Sequence, residues 1–494
     1  MTASRQFDYL VIGGGAAGCI VARRLAERLP SASVALLEAG KSDEHDPAAI
    51  YLSHLDQQDG SYDWGYQANT TRDSTQAMAY ARAKMLGGCA NHNDCAFIAP
   101  LATDLDRWQA LGAEGWNSQA LAPALKRVEE SLHIQASPEG NALSRAFIDA
   151  NRELGLPERN FRQTVDVGTG WFPLNAKGDL RQSSSIAYLH PLDQLPKNLQ
   201  VFTEVMATHL LFDNKRVVGV SSNRGEFKSR IETILCAGSI NTPHLLMLSG
   251  IGPAAQLQSF DIPVVQNSPG VGQNLIDHVA ANICYELKSA PPPWALTPCE
   301  ATALIKIDAE AIAPDVLFHF VLRLREKYVG ADQYAGIEHG IKLSPNVARP
   351  KSRGFIELVS ADPFVAPNID LNYFSDPQGY DRRILTGGLR FARHLVKTNP
   401  LSNYLKSEIQ PGLDIESGDD FFDYIKQNCE TVYHPCGTCA IGSVISADLK
   451  VTGVQGLRIA DASVFPDMVT VNICNTVMMV AEQAADLIVR DNTT

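Results

Sequence analysis

The sequence lacks the features of several protein classes. Its 494 residues carry 42 Lys and Arg against 55 Asp and Glu, a net charge of −13, and no dense basic run that could follow nucleic-acid phosphates. No apolar stretch reaches the roughly 18 residues that a membrane-spanning helix needs. We therefore expect a small-molecule partner, and neither a nucleic acid nor a membrane.

We also expect neither a secretory leader nor a disulfide framework. The opening residues, MTASRQFDYLVIGGG, contain no basic n-region, apolar h-region or cleavage site. The ten cysteines are irregularly spaced. Cys436 and Cys439 have the C-x-x-C spacing of half a zinc site or a redox dithiol, but no second ligand pair with suitable spacing accompanies them. These absences predict a cytoplasmic protein with buried thiols and no metal site.

The first 40 residues predict a βαβ unit. An apolar run at residues 9–12 precedes a glycine-rich turn, an alanine-rich segment with helical spacing reaches about residue 29, and a second apolar run covers residues 34–37. Strand, turn, helix and strand in this order are typical of dinucleotide-binding proteins.

The turn itself carries the binding pattern. Gly13, Gly15 and Gly18 form G-x-G-x-x-G, which lets the backbone approach a pyrophosphate at the positive end of the helix. Glu38 ends the second strand, where an acid would bond a ribose hydroxyl. The acid disfavours a 2′-phosphate, so these residues leave NAD and FAD open.

Later segments predict a second sheet and a return to the first. Residues 354–359 alternate like a half-exposed antiparallel strand. Residues 456–466, GLRIADASVFP, resemble a buried strand that enters a turn, and residues 477–489 have helical apolar spacing. Two domains interleaved in sequence are therefore expected.

Five further segments carry a family resemblance: RAKMLGGCANHN at 82–93, GSINTPHLLMLSGIGP at 238–253, PGVGQNLIDH at 269–278, YHPCGTC at 433–439 and GLRIADASVFPDMVTVN at 456–472. In this order they resemble the glucose-methanol-choline (GMC) oxidoreductases. The resemblance implies an α/β (α+β overall) fold with a discontinuous Rossmann-like FAD-binding domain and a substrate domain built on an antiparallel sheet. The FAD-binding domain is expected at residues 1–136, 175–279 and 432–494, and the substrate domain at 137–174 and 280–431.

Within the family, the segments ARAKMLGGCANHNDC and RQSSSIAYLHP are most similar to choline oxidase-like members. The resemblance places His92 where those members join a histidine covalently to the flavin 8α-methyl group, which predicts a histidyl-FAD bond. A histidine merely packed beside the ring is the alternative. The resemblance assigns further FAD contacts to Gly87, Gly88, Asn93, Val205, Asp461 and Ala462.

The same resemblance places His434 and Asn472 at the two positions that face the flavin on the substrate side. An alcohol must lose its hydroxyl proton as hydride leaves the adjacent carbon, and histidine suits that base near neutral pH. Asn472 can both donate and accept, and so orient the substrate oxygen. His319, in DVLFH, resembles a second histidine that hydrogen-bonds the substrate, with a buried structural role as the alternative.

The chain departs from choline oxidases in the parts that recognise a quaternary ammonium group, which are an aromatic cage and an anion. The cage tryptophan falls at about His54, the glutamate at Ala280, and a second cage aromatic near Cys299 or Glu300. Asp94 replaces a serine beside the flavin-linking position. We also assign Val432 and Tyr433 to the substrate region. The resemblance matches Val432 to a small apolar residue near the flavin that accompanies oxygen reactivity, with core packing as the alternative.

These residues predict FAD-dependent oxidation of an alcohol other than choline, with oxygen as the expected electron acceptor. A dye-linked or quinone-linked alcohol dehydrogenase and a redox-silent lyase of the hydroxynitrile lyase type are the alternatives. An NAD-dependent dehydrogenase is disfavoured by the C-terminal segment. A homodimer is expected from the resemblance alone.

Overall fold

The computed structural model describes residues 5–57, 60–71, 77–138, 141–324 and 336–493. The first four residues, and the last residue of the predicted domain division, lie outside the described residues. The helices, in chain order, are α1 (Gly18–Arg28), α2 (Pro47–Ile50), α3 (Ala102–Ala110), α4 (Ser118–Ser131), α5 (Ala142–Glu153), α6 (Ser184–Tyr188), α7 (Gly238–Leu248), α8 (Ala254–Ser259), α9 (Tyr380–Leu395), α10 (Asn399–Ser402), α11 (Gly418–Asn428) and α12 (Ile473–Thr493).

The strands fall into two main sheets and several small ones. In chain order they are β1 (Arg5–Ile12), β2 (Val34–Leu37), β3 (Gln67–Asn69), β4 (Ala77–Ala79), β5 (Gln135–Ala136), β6 (Gly168–Trp171), β7 (Pro173–Leu174), β8 (Ala176–Lys177), β9 (Leu180–Arg181), β10 (Leu199–Phe202), β11 (Ala207–Asp213), β12 (Arg216–Ser222), β13 (Gly225–Leu235), β14 (Ile251–Gly252), β15 (Gln266–Asn267), β16 (Val279–Ala280), β17 (Ile283–Leu287), β18 (Ala301–Ile305), β19 (Val316–Val321), β20 (Gly340–Val347), β21 (Phe355–Glu357), β22 (Asn368–Asp370), β23 (Leu405–Gln410), β24 (Glu430–Thr431) and β25 (Leu457–Ile459).

The first main sheet runs in the order β10-β2-β1-β13-β12-β11, and β25 also pairs with β13. Strands β10, β2, β1, β13 and β25 are mutually parallel, while β12 and β11 add an antiparallel edge. Ile12 of β1 pairs with both Leu37 and Leu235, and Leu235 pairs with Ile459. The carboxyl ends of these strands therefore lie at one edge of the sheet, where α/β sheets bind their ligands.

The predicted βαβ unit is confirmed. Helix α1 begins at Gly18, and the five residues between it and β1 form the glycine turn. Strand β2 covers the predicted residues 34–37, and all four are buried because the sheet is covered on both faces. The expected C-terminal strand and helix are present as β25 and α12, and α12 packs against α1 and α4.

The second main sheet has the order β23-β17-β20-β19-β18-β6, and every pairing along it is antiparallel. Its strands come from residues 168–410, and β16 and β24 join at its side. Side chains alternate between its faces. His319 and Val321 of β19 lie on one face, opposite Ser344 and Lys342 of β20, while Phe318 and Phe320 are fully buried on the other.

A smaller sheet connects the two halves. It has the order β21-β22-β3-β4, so strands from residues 355–370 pair with strands from residues 67–79. The predicted strand near residues 354–359 is present as β21. The residue boundaries of the two domains stay a prediction, although each main sheet draws its strands from the segments expected for it.

The glycine turn gives a test that uses two neighbouring positions. A Cβ on Gly18 would lie 1.8 Å from the Gly13 carbonyl oxygen, whereas a Cβ on Gly15 would have no atom within 4 Å. We expect Gly18→Ala to lower the free energy of unfolding by about 1–3 kcal/mol, because α1 must move away from β1. Gly15→Ala should leave it within about 0.5 kcal/mol of the unmodified chain. Urea unfolding of both variants checks this, and equal loss at the two positions would contradict the packing described.

Candidate active site

One large cavity lies between the carboxyl edge of the first main sheet and one face of the second. Its volume is about 1470 Å³, which is above the range of most small-molecule pockets and leaves room for a dinucleotide together with a second molecule. Both the glycine turn and the predicted catalytic residues line it. The predicted site residues that line it are Gly13, Gly15, Glu38, Gly88, His92, Asn93, Asp94, Val205, His319, Val432, Tyr433, His434, Asp461, Ala462 and Asn472.

Three predicted residues do not line the cavity. Gly18 packs under the turn, and Gly87 supports the loop that follows β4, where a Cβ would lie 2.1 Å from the Asn91 side-chain nitrogen. His54 lies in a 3₁₀ turn, where its Nδ1 is 3.2 Å from the Ser53 hydroxyl and its ring is 5.8 Å from that of Tyr51. The structure therefore gives His54 no contact with the space that a substrate would occupy.

The dinucleotide half of the cavity follows from the strand ends. Gly15 is open toward the cavity, so its backbone can approach a phosphate without hindrance. Glu38 accepts hydrogen bonds from the backbone N–H groups of Gly14 at 2.8 Å and Gly40 at 2.7 Å. Its carboxylate keeps further lone pairs for a ribose hydroxyl. Burial raises the pKa of Glu38 to about 7.

Asp461 is positioned differently from a direct cofactor ligand. Its carboxylate accepts hydrogen bonds from Gly238 N–H at 2.9 Å, from the Thr242 hydroxyl at 2.6 Å, and from Ser463. It thereby ties the turn after β25 to the first turn of α7. The cavity wall at this point is the backbone of two helix-flanking turns rather than a free carboxylate.

The residues that line the cavity fit FAD. It joins a glycine turn that is open to a pyrophosphate, an acid for the ribose and a wide region that reaches the second sheet. The side-chain oxygen of Asn472 is buried in its wall without a hydrogen-bond partner among the described residues, as expected for a group that awaits a bound molecule. Gly13, Gly15, Glu38 and Val205 would hold the adenosine and diphosphate, and His92 and Asn93 would hold the flavin.

The segment that carries His92 is held in place by contacts on its side away from the cavity. Gly88 lies close to the glycine turn, since a Cβ there would be 2.8 Å from the Gly15 Cα. Asn91 donates from its side chain to Asp43 at 2.7 Å and to the Leu86 carbonyl at 2.7 Å. Burial lowers the pKa of His92 to about 4, so its imidazole is neutral at pH 7.

Two adjacent residues, Asp277 and His278, hold His434. The Asp277 carboxylate accepts the His434 backbone N–H at 2.9 Å, and also accepts the hydroxyl groups of Tyr80, Tyr373 and Thr431. His278 is fully buried, and its Nδ1 lies 2.8 Å from the His434 Nδ1. The sequence motif that ends in His278 was visible, but its pairing with a residue 156 positions away was not.

These contacts determine which ring nitrogen of His434 is free. The His278 Nε2 lies 3.0 Å from the Ala348 carbonyl and 3.1 Å from the Val469 carbonyl, so it must carry a hydrogen to donate. The His278 Nδ1 is then an acceptor and takes the hydrogen of the His434 Nδ1. The His434 Nε2 is left with its lone pair. Burial and the neighbouring His278 hold the pKa of His434 well below its usual range, so it is a neutral base.

His319 and Asn472 complete this group. The Asn472 side-chain nitrogen is 3.5 Å from the His434 Nε2 and 3.4 Å from the His319 Nε2. Asn346 donates to the Leu317 carbonyl at 2.6 Å and to the His319 Nδ1 at 3.2 Å, which leaves the hydrogen of neutral His319 on Nε2. Burial lowers the pKa of His319 to about 4. One acceptor and two donors therefore meet at one place in the cavity wall.

The residue before His434 has a strained backbone conformation that helps to position the His434 side chain. Tyr433 has φ +64°, a conformation that a non-glycine residue adopts only when its surroundings enforce it. Its N–H donates to the Thr431 hydroxyl at 2.7 Å, and its carbonyl accepts from Arg82 at 2.9 Å. These bonds fix the backbone on the N-terminal side of His434.

The wall opposite the glycine turn is charged as well as apolar. Lys342 and Glu430 form an ion pair at 2.5 Å that lines the cavity. Asp94 lines it too, and within the described part of the chain it makes no hydrogen bond or ion pair. Trp294 lines it with the Arg323 guanidinium 5.3 Å above its ring.

The C-x-x-C cysteines lie apart from this wall. Cys436 and Cys439 are fully buried, and the Cys436 sulfur is 3.8 Å from that of Met468.

Among the helices of the described residues, none combines the length and the hydropathy that crossing a bilayer requires.

Comparisons with known proteins identify the family and the fold. The family model described as GMC oxidoreductase matches residues 7–280 with its N-terminal part and residues 350–481 with its C-terminal part. Choline oxidase from Arthrobacter globiformis is 37% identical, over 98% of this chain and 94% of that protein. The structure of formate oxidase has a TM-score of 0.89 at 25% identity and covers 100% of both chains. Pyridoxine 4-oxidase from Mesorbium loti has a TM-score of 0.88 at 25% identity, over 97% of this chain and 98% of that chain.

The histidine pair gives a spectroscopic prediction. We expect His278 to be the neutral Nε2–H tautomer from pH 8 down to about pH 5.5, because burial lowers its pKa to about 4. Long-range ¹H–¹⁵N spectra of histidine-labelled protein measure the tautomer, and His278→Gln identifies the signal by its loss. A His278 signal that titrates near pH 6.5 would contradict the arrangement.

Proposed function

The chain belongs to the GMC oxidoreductase family and is an FAD-dependent oxidoreductase, and on that premise we propose that it oxidises an alcohol to an aldehyde or ketone. The observation that carries the proposal is that His434, Asn472 and His319 meet in the cavity that also contains the glycine turn. When bound, FAD supplies an acceptor for the hydride at its N5 atom.

The three polar residues have different roles toward the substrate hydroxyl: one is the base and two are hydrogen-bond donors. The His434 Nε2 has a free lone pair and takes the hydroxyl proton as general base. The Asn472 side-chain nitrogen and the His319 Nε2 donate hydrogen bonds to the oxygen as its negative charge grows. His278 acts through His434, since it keeps the hydrogen of that ring on Nδ1.

Oxygen is proposed as the electron acceptor. Val432 lines the cavity, as the resemblance expects for an oxygen-reactive member, and three similar proteins are named as oxidases. Formation of hydrogen peroxide during turnover tests this point. Reduction of a dye or quinone without peroxide would favour a dehydrogenase. The homodimer stays a prediction.

The substrate is proposed to be an alcohol other than choline. A quaternary ammonium group needs free aromatic faces and an anion around it. Here Trp294 already faces the Arg323 guanidinium, and His54 lies outside the cavity. Ala280, which stands where the resemblance places the glutamate, has no charge, and the carboxylate of Asp94 lies beside His92 and not at that position. The polar groups of this wall, Asp94 and the pair Lys342 and Glu430, suit a substrate with further hydrogen-bonding groups.

A covalent bond between His92 and the flavin 8α-methyl group is also proposed. His92 lines the cavity, and its neutral ring has a lone pair for bond formation. Forming this bond would replace one methyl hydrogen and the ring N–H, release two protons, and leave two electrons for oxygen to remove. A histidine that only packs beside the ring would make no such bond.

A panel of alcohols tests the reaction. We expect one or more amino alcohols, sugars or aromatic alcohols to bleach the flavin under anaerobic conditions, and choline not to be the best substrate. His434→Gln should slow the bleaching by about 10²–10⁴-fold, because it removes the base while FAD content stays the same. Stopped-flow absorbance measures both rates.

Two outcomes of that experiment would contradict the proposal. A flavin that no alcohol bleaches would favour a redox-silent lyase. Choline as the best substrate would overturn the assignment of the substrate while leaving the reaction type intact.

Acid precipitation tests the flavin bond. We expect the yellow colour to stay with the precipitated protein, and His92→Asn to release it into the supernatant because the bond is then impossible. His244→Asn is the matched control, since His244 is also buried, lines the cavity and has its pKa lowered to about 4. Its precipitate should stay yellow. Colour in the supernatant of the unmodified protein would exclude the bond.

A further inference from the structure

Arg181, at the end of β9, is fully buried behind the segment that carries His92 and Asn93. Its Nη1 donates to the Asn93 carbonyl at 2.5 Å, to the Asn93 side-chain oxygen at 3.0 Å and to the Ala90 carbonyl at 3.3 Å. It also contacts the Cys95 sulfur at 3.0 Å. All these partners belong to residues 90–95, so Arg181 holds one loop.

The charge of Arg181 is not balanced by a direct partner. None of its hydrogen-bond partners is a carboxylate, and its Nε and Nη2 have no partner within the described residues. Arg458, another buried arginine, is paired with Glu232 at 2.9 Å and with Asp491 at 2.6 Å. A buried charge without a counter-ion is costly, and it is strongly destabilising unless something else compensates it.

Compensation comes from the cavity side, where Asp94 of the same loop is a carboxylate that forms no ion pair within the described residues, and where the flavin would bind. The loop that Arg181 holds forms the cavity wall through His92, Asn93 and Asp94. The histidines of this wall are neutral at pH 7, because burial lowers their pKa values. Arg82 carries a second positive charge, but it lines the cavity itself. Arg181 lies behind the wall, where low dielectric screens its field weakly.

We propose that Arg181 is a positioning residue that fixes the loop at residues 90–95, and that its unbalanced charge favours negative charge on the reduced flavin. The inference rests on the flavin part of the proposed function. A fixed positive charge near the flavin stabilises it as it gains electrons, without any movement at the moment of reaction. The charge therefore makes the oxidised flavin a stronger hydride acceptor.

Sulfite binding measures this effect without turnover, because the anion adds reversibly to oxidised flavin and binds more tightly when positive charge is near. In the holoenzyme, Arg181→Gln should weaken sulfite binding on the order of tenfold, as expected for loss of one charge held at an effective dielectric constant near 20. Arg181→Lys keeps the charge and should restore the affinity to within about threefold. The reduction potential of the flavin should fall in Arg181→Gln and should be largely restored in Arg181→Lys.

A second pair of variants leaves Arg181 in place. Cys95 has φ +58°, which Asp and Asn tolerate better than most residues, and its sulfur already touches the guanidinium. Cys95→Asp supplies the missing carboxylate and should weaken sulfite binding as Arg181→Gln does. Cys95→Asn has the same shape without the charge and should leave the affinity unchanged. This pair decides the question if Arg181→Gln fails to fold or to bind FAD.

The inference is overturned if folded, FAD-containing Arg181→Gln and Cys95→Asp both bind sulfite as the unmodified protein does. It is also overturned if Cys95→Asn weakens binding as much as Cys95→Asp, because packing and not charge would then be responsible. Failure of every alcohol to bleach the flavin would reject the proposed reaction alone, since sulfite binding needs only the bound cofactor.

Discussion

The register of the parallel strands is the constraint on which the rest of the structure depends. Ile12, Leu37, Leu235 and Ile459 are aligned across four neighbouring strands, so the turns that follow them meet at one edge of the sheet. A slip of one residue between β1 and β2 would turn the buried side chains of β2 to the opposite face. A slip between β1 and β13 would shift the glycine turn relative to the turn after β25. The cofactor half of the cavity is thus a result of strand pairing.

The catalytic half depends on a different principle, in which two consecutive residues bind the backbone and the side chain of one histidine. Asp277 binds the backbone of His434, and His278 binds its ring. Two consecutive residues thereby fix both the position and the tautomer of the base. Because the carbonyls of Ala348 and Val469 can only accept, the direction of the hydrogen bonds is settled without any charged group. Polar networks of this kind are specific when every member is satisfied.

Local patterns and motifs predicted the features that depend on short stretches of chain. The glycine turn, Glu38 and the helix near the C-terminus follow from spacing within a few dozen residues, and the family motifs predicted which segments line the cavity. Partnerships across long separations were not predictable in this way. The role of His278 requires a residue 156 positions away, and the unbalanced charge of Arg181 is visible only when all its neighbours are known. His54 shows the converse, since an aligned position need not reach the cavity once the local turn is built.

The discontinuous order of the segments bears on biosynthesis. Strand β25 pairs with β13, and α12 packs against α1 and α4, yet both elements are synthesised only after residue 456. Until then, β1, β2 and β13 can pair, but the edge of β13 stays open and the apolar face of α1 stays uncovered. Asn472 is likewise among the last residues of the cavity wall to be made. Cofactor capture must therefore wait until residues 456–472 have been synthesised, and until then the nascent chain carries apolar surfaces that need protection from aggregation.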